Sequence, residues 1–180
     1  MIDVNKIVND LYGAYQTKVA ISTNPMLDTY ETAYLIQKNM ANKLGKRIGW
    51  KIGLDGKGNY VRAPMFQRTL YQDNALAPRA IFNHCLVESE LAIVFKDSMP
   101  NNSYTIDQIN TNVESINAGI EICDSRLQGW PSCDPTWQLA DNLTHGGYVL
   151  GGGVNSSNQK LSIELLNRGD FAIAIASGNN

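Results

Sequence analysis

The chain has 180 residues, long enough for one domain with a buried core. Its 43% hydrophobic and 18% charged content is that of a folded protein and excludes a disordered one. A net charge of -2, scattered Lys and Arg and no apolar run of bilayer-spanning length leave neither nucleic acid nor membrane as an expected partner.

Val4, Ile7, Val8, Leu11 and Tyr15 recur at helical spacing and predict an amphipathic first helix. Asn24-Pro25 breaks the pattern. Asp28-Thr29-Tyr30-Glu31 then reads as a capped start, with Ala33, Ile36, Met40 and Leu44 along one stripe and Gly45 as the stop. These helices, within residues 1–45, are expected to form an N-terminal cap or an oligomer surface. From Arg47 onward the pattern becomes that of strands. Ile48, Trp50 and Ile52 alternate with Gly49, Lys51 and Gly53, and the loop Asp55-Gly56-Lys57-Gly58-Asn59 leads on to Thr69-Leu70-Tyr71. Residues 87–95 predict a strand, Thr105 caps a short helix, and 116–123 and 148–150 predict further strands. Segments 161–166 and 171–176 flank the turn signal Asn167-Arg168-Gly169-Asp170 and predict a hairpin. The glycine-rich run from Gly146 to Gly153 has neither phosphate-loop nor dinucleotide-turn spacing and reads as tight turns between strands. The fold class is α+β in one domain over 1–180, with a helical segment at 1–45 and a β-rich core at 46–180.

Cys85, Cys123 and Cys133 are odd in number and form no C-x-x-C pair, so they read as small buried side chains in a reduced, cytoplasmic setting. The N-terminal residues lack the basic and apolar opening of a signal peptide. His84 and His145 stand singly and read as structural.

The chemistry concentrates in Val87-Glu88-Ser89-Glu90-Leu91-Ala92-Ile93-Val94-Phe95. On a strand, Glu88 and Glu90 share one face with Cα atoms roughly 6–7 Å apart, and Val87, Ser89, Leu91, Ile93 and Phe95 form the other, expected to face the core. Paired carboxylates beside an apolar layer repel and resist desolvation unless a cation neutralises them. Glu121, within a second apolar stretch, supplies a third acid. Three converging carboxylates suit a hard divalent ion, Mg²⁺ or Mn²⁺; alternatively, Glu88 and Glu90 line the wet face of an edge strand. Lys51, between glycines that allow close approach of a ligand, either snorkels to solvent or supplies charge and a proton to a bound substrate. Asp73 either pairs with it or is an ordinary turn residue.

In order, Gly49-Trp50-Lys51-Ile52-Gly53-Leu54, Thr69-Leu70 with Asp73, Glu88-Ser89-Glu90-Leu91-Ala92, Gly119-Ile120-Glu121-Ile122 with Asp124-Ser125-Arg126, and Leu139-Ala140-Asp141-Asn142 with its glycine-rich sequel resemble one known group. It is the 2-keto-4-pentenoate hydratase and 4-oxalocrotonate decarboxylase branch of the fumarylacetoacetate hydrolase superfamily. The resemblance implies helices followed by a mixed β-roll, with Glu88, Glu90 and Glu121 as ligands of Mg²⁺ or Mn²⁺ and Lys51 and Asp73 as catalytic residues. The implied activity is that of a lyase adding water to a short unsaturated 2-oxo acid in aromatic-compound breakdown, or removing CO₂ at the same site. Where the branch usually has Thr or Ser after Gly53-Leu54, this chain has Asp55. The branch also continues beyond the turn at Ser177-Gly178. The chain is therefore expected to be either a fragment of a longer enzyme or a naturally shortened relative, and to act as a homo-oligomer or beside a related full-length subunit, in the latter case without catalysis of its own.

Overall fold

In a computed structural model, residues 2–55, 57–72, 75–100 and 102–155 are described. Asp73 and the expected hairpin at 161–176 lie outside them.

Helix α1 (Val4–Thr17) starts at Asp3, whose carboxylate accepts the Lys6 amide at 3.0 Å, and helix α2 (Tyr30–Leu44) starts at Thr29, which accepts the Thr32 amide at 3.2 Å. Gly45 ends α2 at φ 99°, a conformation that only glycine adopts without strain. Strands β1 (Arg47–Leu54) and β2 (Tyr60–Phe66) form an antiparallel hairpin. Its loop is organised by Asp55, which accepts the Lys57 and Asn59 amides, each at 2.8 Å, and the Tyr30 hydroxyl at 3.0 Å. Asp55 thus has a local structural task.

Strands β3 (Leu70–Gln72), β4 (Leu86–Phe95), β5 (Val113–Cys123) and β6 (His145–Asn155) form a second sheet in the order β3-β6-β5-β4. β3 runs parallel to β6 and the other pairs are antiparallel, so this sheet is mixed. Helix α3 (Ile106–Asn112) joins β4 to β5 and opens on a complete Thr105–Gln108 capping box. Helix α4 (Pro135–Ala140) precedes β6, with Pro135 at its start. The architecture is α+β, helices first.

Three expectations need correction. The first two helices bury their apolar stripes inside the chain: Ile7, Leu11, Ile36 and Met40 pack with Phe66, Leu127, Trp137 and Leu139 in one core. Gln37 joins the layers there, donating to the Leu139 carbonyl at 2.6 Å. The glycine-rich run is an interior strand rather than a set of turns. A Cβ on Gly146 would lie 2.6 Å from Asp124 Cβ, and one on Gly147 would lie 2.9 Å from the Tyr71 ring, so β6 needs glycine for close approach. Finally, the face of β4 expected to be covered is open, with Val87 59% and Phe95 40% exposed. Among the described residues β4 is the edge of its sheet, and its alternation carries no information about which face is covered.

Behind the sheet, Arg126 and Asp141 are both buried. Arg126 Nε donates to Asp141 Oδ1 at 2.6 Å, and its remaining nitrogens reach the Asp141 carbonyl at 2.8 Å and the His145 carbonyl at 3.0 Å. Removing one member of such a pair strands the other charge. Arg126→Met is expected to cost roughly 3–5 kcal/mol in urea unfolding. A midpoint unchanged from the parent would contradict this account.

Among the described residues, no helix is long and apolar enough to cross a membrane.

Candidate active site

The site is built where Lys51 of β1 reaches Glu121 of β5. Glu121, on the interior strand β5, is fully buried. Its register partners are Glu88 on β4 and Tyr148 on β6, so these three share one row and one face. Glu90 lies two residues along the same face of β4, opposite Gly119.

Lys51 reaches Glu121 from the other sheet. On β1 the apolar Ile52 and Leu54 are 67% and 63% exposed, whereas the Lys51 side chain retains 13% exposure and turns inward. Its Nζ stands 2.5 Å from Glu121 Oε2 and donates to the Leu143 carbonyl at 3.1 Å. The contact with Glu121 is a close, charge-assisted ion pair on Oε2.

His145, read from sequence as structural, holds the other oxygen: Nδ1 lies 3.0 Å from Glu121 Oε1, and Nε2 lies 3.2 Å from the Thr69 hydroxyl. A carboxylate can only accept, so Nδ1 carries the proton and donates it to Oε1. One stretch of backbone orients both partners of Glu121. Asn142, Leu143 and Thr144 have φ of 61°, 50° and 58°, a left-handed turn of three non-glycine residues. Such residues are strained by about 1–2 kcal/mol each, and here the turn presents the Leu143 carbonyl to Lys51 and leads directly into His145. Asn142 anchors it by donating to the Pro64 carbonyl at 2.8 Å.

The electrostatics of the two buried acids diverge. Burial pushes Glu121 upward, but the His145 hydrogen bond and the Lys51 charge outweigh it, and the net shift is downward. Glu90 goes the other way: burial first, then the Glu121 charge, raise it to about 7, with Glu88 adding and Lys51 opposing. Paired carboxyl groups driven apart in this way are suited to one remaining ionised while the other exchanges a proton. Tyr148 is raised to about 12 by burial and then by Glu90 and Glu121, and Cys123 is likewise raised to about 12, by burial first and Glu121 second. Both remain protonated at neutral pH.

The structure therefore brings Lys51, Glu88, Glu90 and Glu121 together, while Asp73 lies outside the described residues. Glu88, Glu121 and Cys123 present ligand atoms all within 4.8 Å of one another, and Glu90 is outside that triplet. Sequence reasoning missed Cys123, His145 and Tyr148. Cys123 had a signal, since it stands two residues after Glu121 on the same strand. Tyr148 falls in the strand expected at 148–150, but nothing in the sequence aligns it with Glu121; His145 precedes glycines expected to turn, which conceals that it opens the same strand.

The donor set fits a divalent cation. It offers Glu88 and Glu121 together, with Glu90 two residues along the same face, raised to about 7 by burial first and then by the Glu121 charge beside it.

Helices followed by a two-stranded hairpin and a mixed sheet with its carboxylates on one face make up the α+β fold of the fumarylacetoacetate hydrolase type. The solved structures that share it include 4-oxalocrotonate decarboxylase from Pseudomonas putida G7 complexed with magnesium and adipate. That match has a TM-score of 0.74 and 17% identity, over 88% of this chain and 67% of that one. The same enzyme complexed with calcium and acetate matches with a TM-score of 0.73 and 18% identity, over 87% of this chain and 64% of that one. This chain spans about two thirds of the length of those relatives, and identities this low establish the fold alone. No family model matches the sequence.

Proposed function

We propose that the protein is a divalent-metal-dependent lyase that adds water to a short unsaturated 2-oxo acid. The observation that carries this reading is the buried Glu121, flanked by Glu88 and Glu90 and ion-paired with Lys51. In it, Glu88, Glu90 and Glu121 hold Mg²⁺ or Mn²⁺. The bound cation supplies positive charge that stabilises an enolate developing from the 2-oxo group. Lys51 lies beside the same carboxylate, where its ammonium can attract the substrate carboxylate and carry a proton during tautomerisation. His145 and the Leu143 carbonyl orient Glu121 and Lys51 respectively. Asp73 completes the proposed set as the partner of Lys51.

Loss of CO₂ through the same enolate is the second reading, supported by the decarboxylase names of the structures that share the fold. The open apolar face of β4 supports an oligomer or a related subunit as partner.

Calorimetry tests the metal site. The parent chain should bind Mg²⁺, and Glu88→Gln should weaken it by about tenfold or more while leaving the far-ultraviolet circular dichroism unchanged. Equal affinity in the two proteins would remove Glu88 from the site. Loss of absorbance with 2-keto-4-pentenoate reports water addition, and CO₂ release from 4-oxalocrotonate, which carries a second carboxylate, reports decarboxylation; the two assays separate the readings.

A further inference from the structure

Tyr148 carries a buried polar group that none of the roles above uses. It is 4% exposed, and its hydroxyl has no hydrogen-bond partner among the described residues. Burying a hydroxyl without a partner costs its full desolvation, a cost that phenylalanine would avoid with the same ring packing. The hydroxyl therefore calls for a partner from outside the described residues.

Its position indicates what that partner is. Tyr148 pairs with Glu121 across the β5–β6 ladder, and its ring lies over Gly119, where a Cβ would collide with the hydroxyl and the ring carbons. Gly119 in turn pairs with Glu90 on β4. The phenol thus leans from the Glu121 row toward the Glu90 row, on the carboxylate face. Glu121 Oε1 is already occupied by His145. A phenol flanked by carboxylates is a hydrogen-bond donor, so what it lacks is an acceptor oxygen. Among these acids such an oxygen, if anionic, is tolerable only beside the cation they are proposed to hold.

We propose that Tyr148 is a substrate-binding residue whose hydroxyl donates a hydrogen bond to an anionic oxygen of the bound 2-oxo acid. The inference rests on the metal-dependent reading above and adds to it a preorganised donor contributed by β6.

The test uses Tyr148→Phe, which removes one oxygen and keeps the ring, with oxalate as the probe because its adjacent planar oxygens imitate an enolised 2-oxo acid. Three quantities are measured: Mg²⁺ affinity, oxalate affinity at saturating Mg²⁺, and melting temperature without metal. We expect unchanged Mg²⁺ affinity, oxalate binding weakened about tenfold, and a metal-free melting temperature equal to or above that of the parent. Unchanged oxalate affinity, or a lower melting temperature with no selective loss of oxalate, overturns the role given to Tyr148 and makes the phenol a packing group. Failure of the parent chain itself to bind Mg²⁺ instead overturns the metal-dependent reading, and this inference with it.

Discussion

Lys51→Met should lower stability by roughly 3–5 kcal/mol and turnover by roughly 10²–10⁴-fold. The stability loss follows from burial. Glu121 is 0% exposed, and its two side-chain partners are the Lys51 ammonium and the His145 imidazole. Without the ammonium, a carboxylate far from water retains a single hydrogen bond and must either remain charged at high cost or take up a proton. The destabilisation should therefore shrink as pH is lowered toward the range where Glu121 protonates. Lys51→Met combined with Glu121→Gln removes both charges and should recover much of the stability without recovering turnover. A single Lys51→Met variant that unfolds at the parental denaturant concentration would show that the lysine is a solvent-facing group after all.

The second large effect is one of pH. Glu90 rises from the ordinary carboxyl value of 4.5 to about 7 in the folded chain, through burial and then the neighbouring Glu121. Between those two values the folded protein binds more protons than the unfolded one, so stability falls as pH increases. The shift corresponds to at most about 3 kcal/mol, reduced by the partial exposure of Glu90. In chelator, the parent protein should lose this stability progressively between about pH 4.5 and pH 7 and remain at the lower level above it. Glu90→Gln should lack this component, which makes the difference between the two melting curves the quantity to measure. Mg²⁺ added above pH 7 should restore the parent and have a smaller effect on the variant. Parallel curves for the two proteins across this range would mean that Glu90 is not desolvated as described.

The sequence carried the local part of this structure well. Thr29, Gly45 and Thr105 terminate helices through hydrogen bonds and backbone angles set within a few residues, and those boundaries were legible. The shared face of Glu88 and Glu90 followed from strand geometry alone. What escaped was tertiary. Alternation in β1 and β4 showed two faces but not which would be covered, and in both strands apolar side chains point outward. Gly146, Gly147 and Gly151 carry turn signals in isolation; only the neighbours Asp124, Tyr71 and the Ala118 carbonyl show why they belong in a strand. The strand expected at 148–150 begins earlier, at His145, and its register against Glu121 is what brings His145 and Tyr148 to the site.

The left-handed turn from Asn142 to Thr144 has a mechanical consequence. A single bend of the main chain sets both neighbours of Glu121: the carbonyl that steers Lys51 and the imidazole that follows. The proton inventory of the pocket is therefore keyed to chain length at this point. Inserting or deleting one residue would displace ammonium and imidazole together, whereas the hairpin loop at Asp55 could change length with little effect on either. Asn142 is held by its bond to the Pro64 carbonyl, while Leu143 and Thr144 are free to vary wherever the replacement tolerates the conformation. The spacing is not.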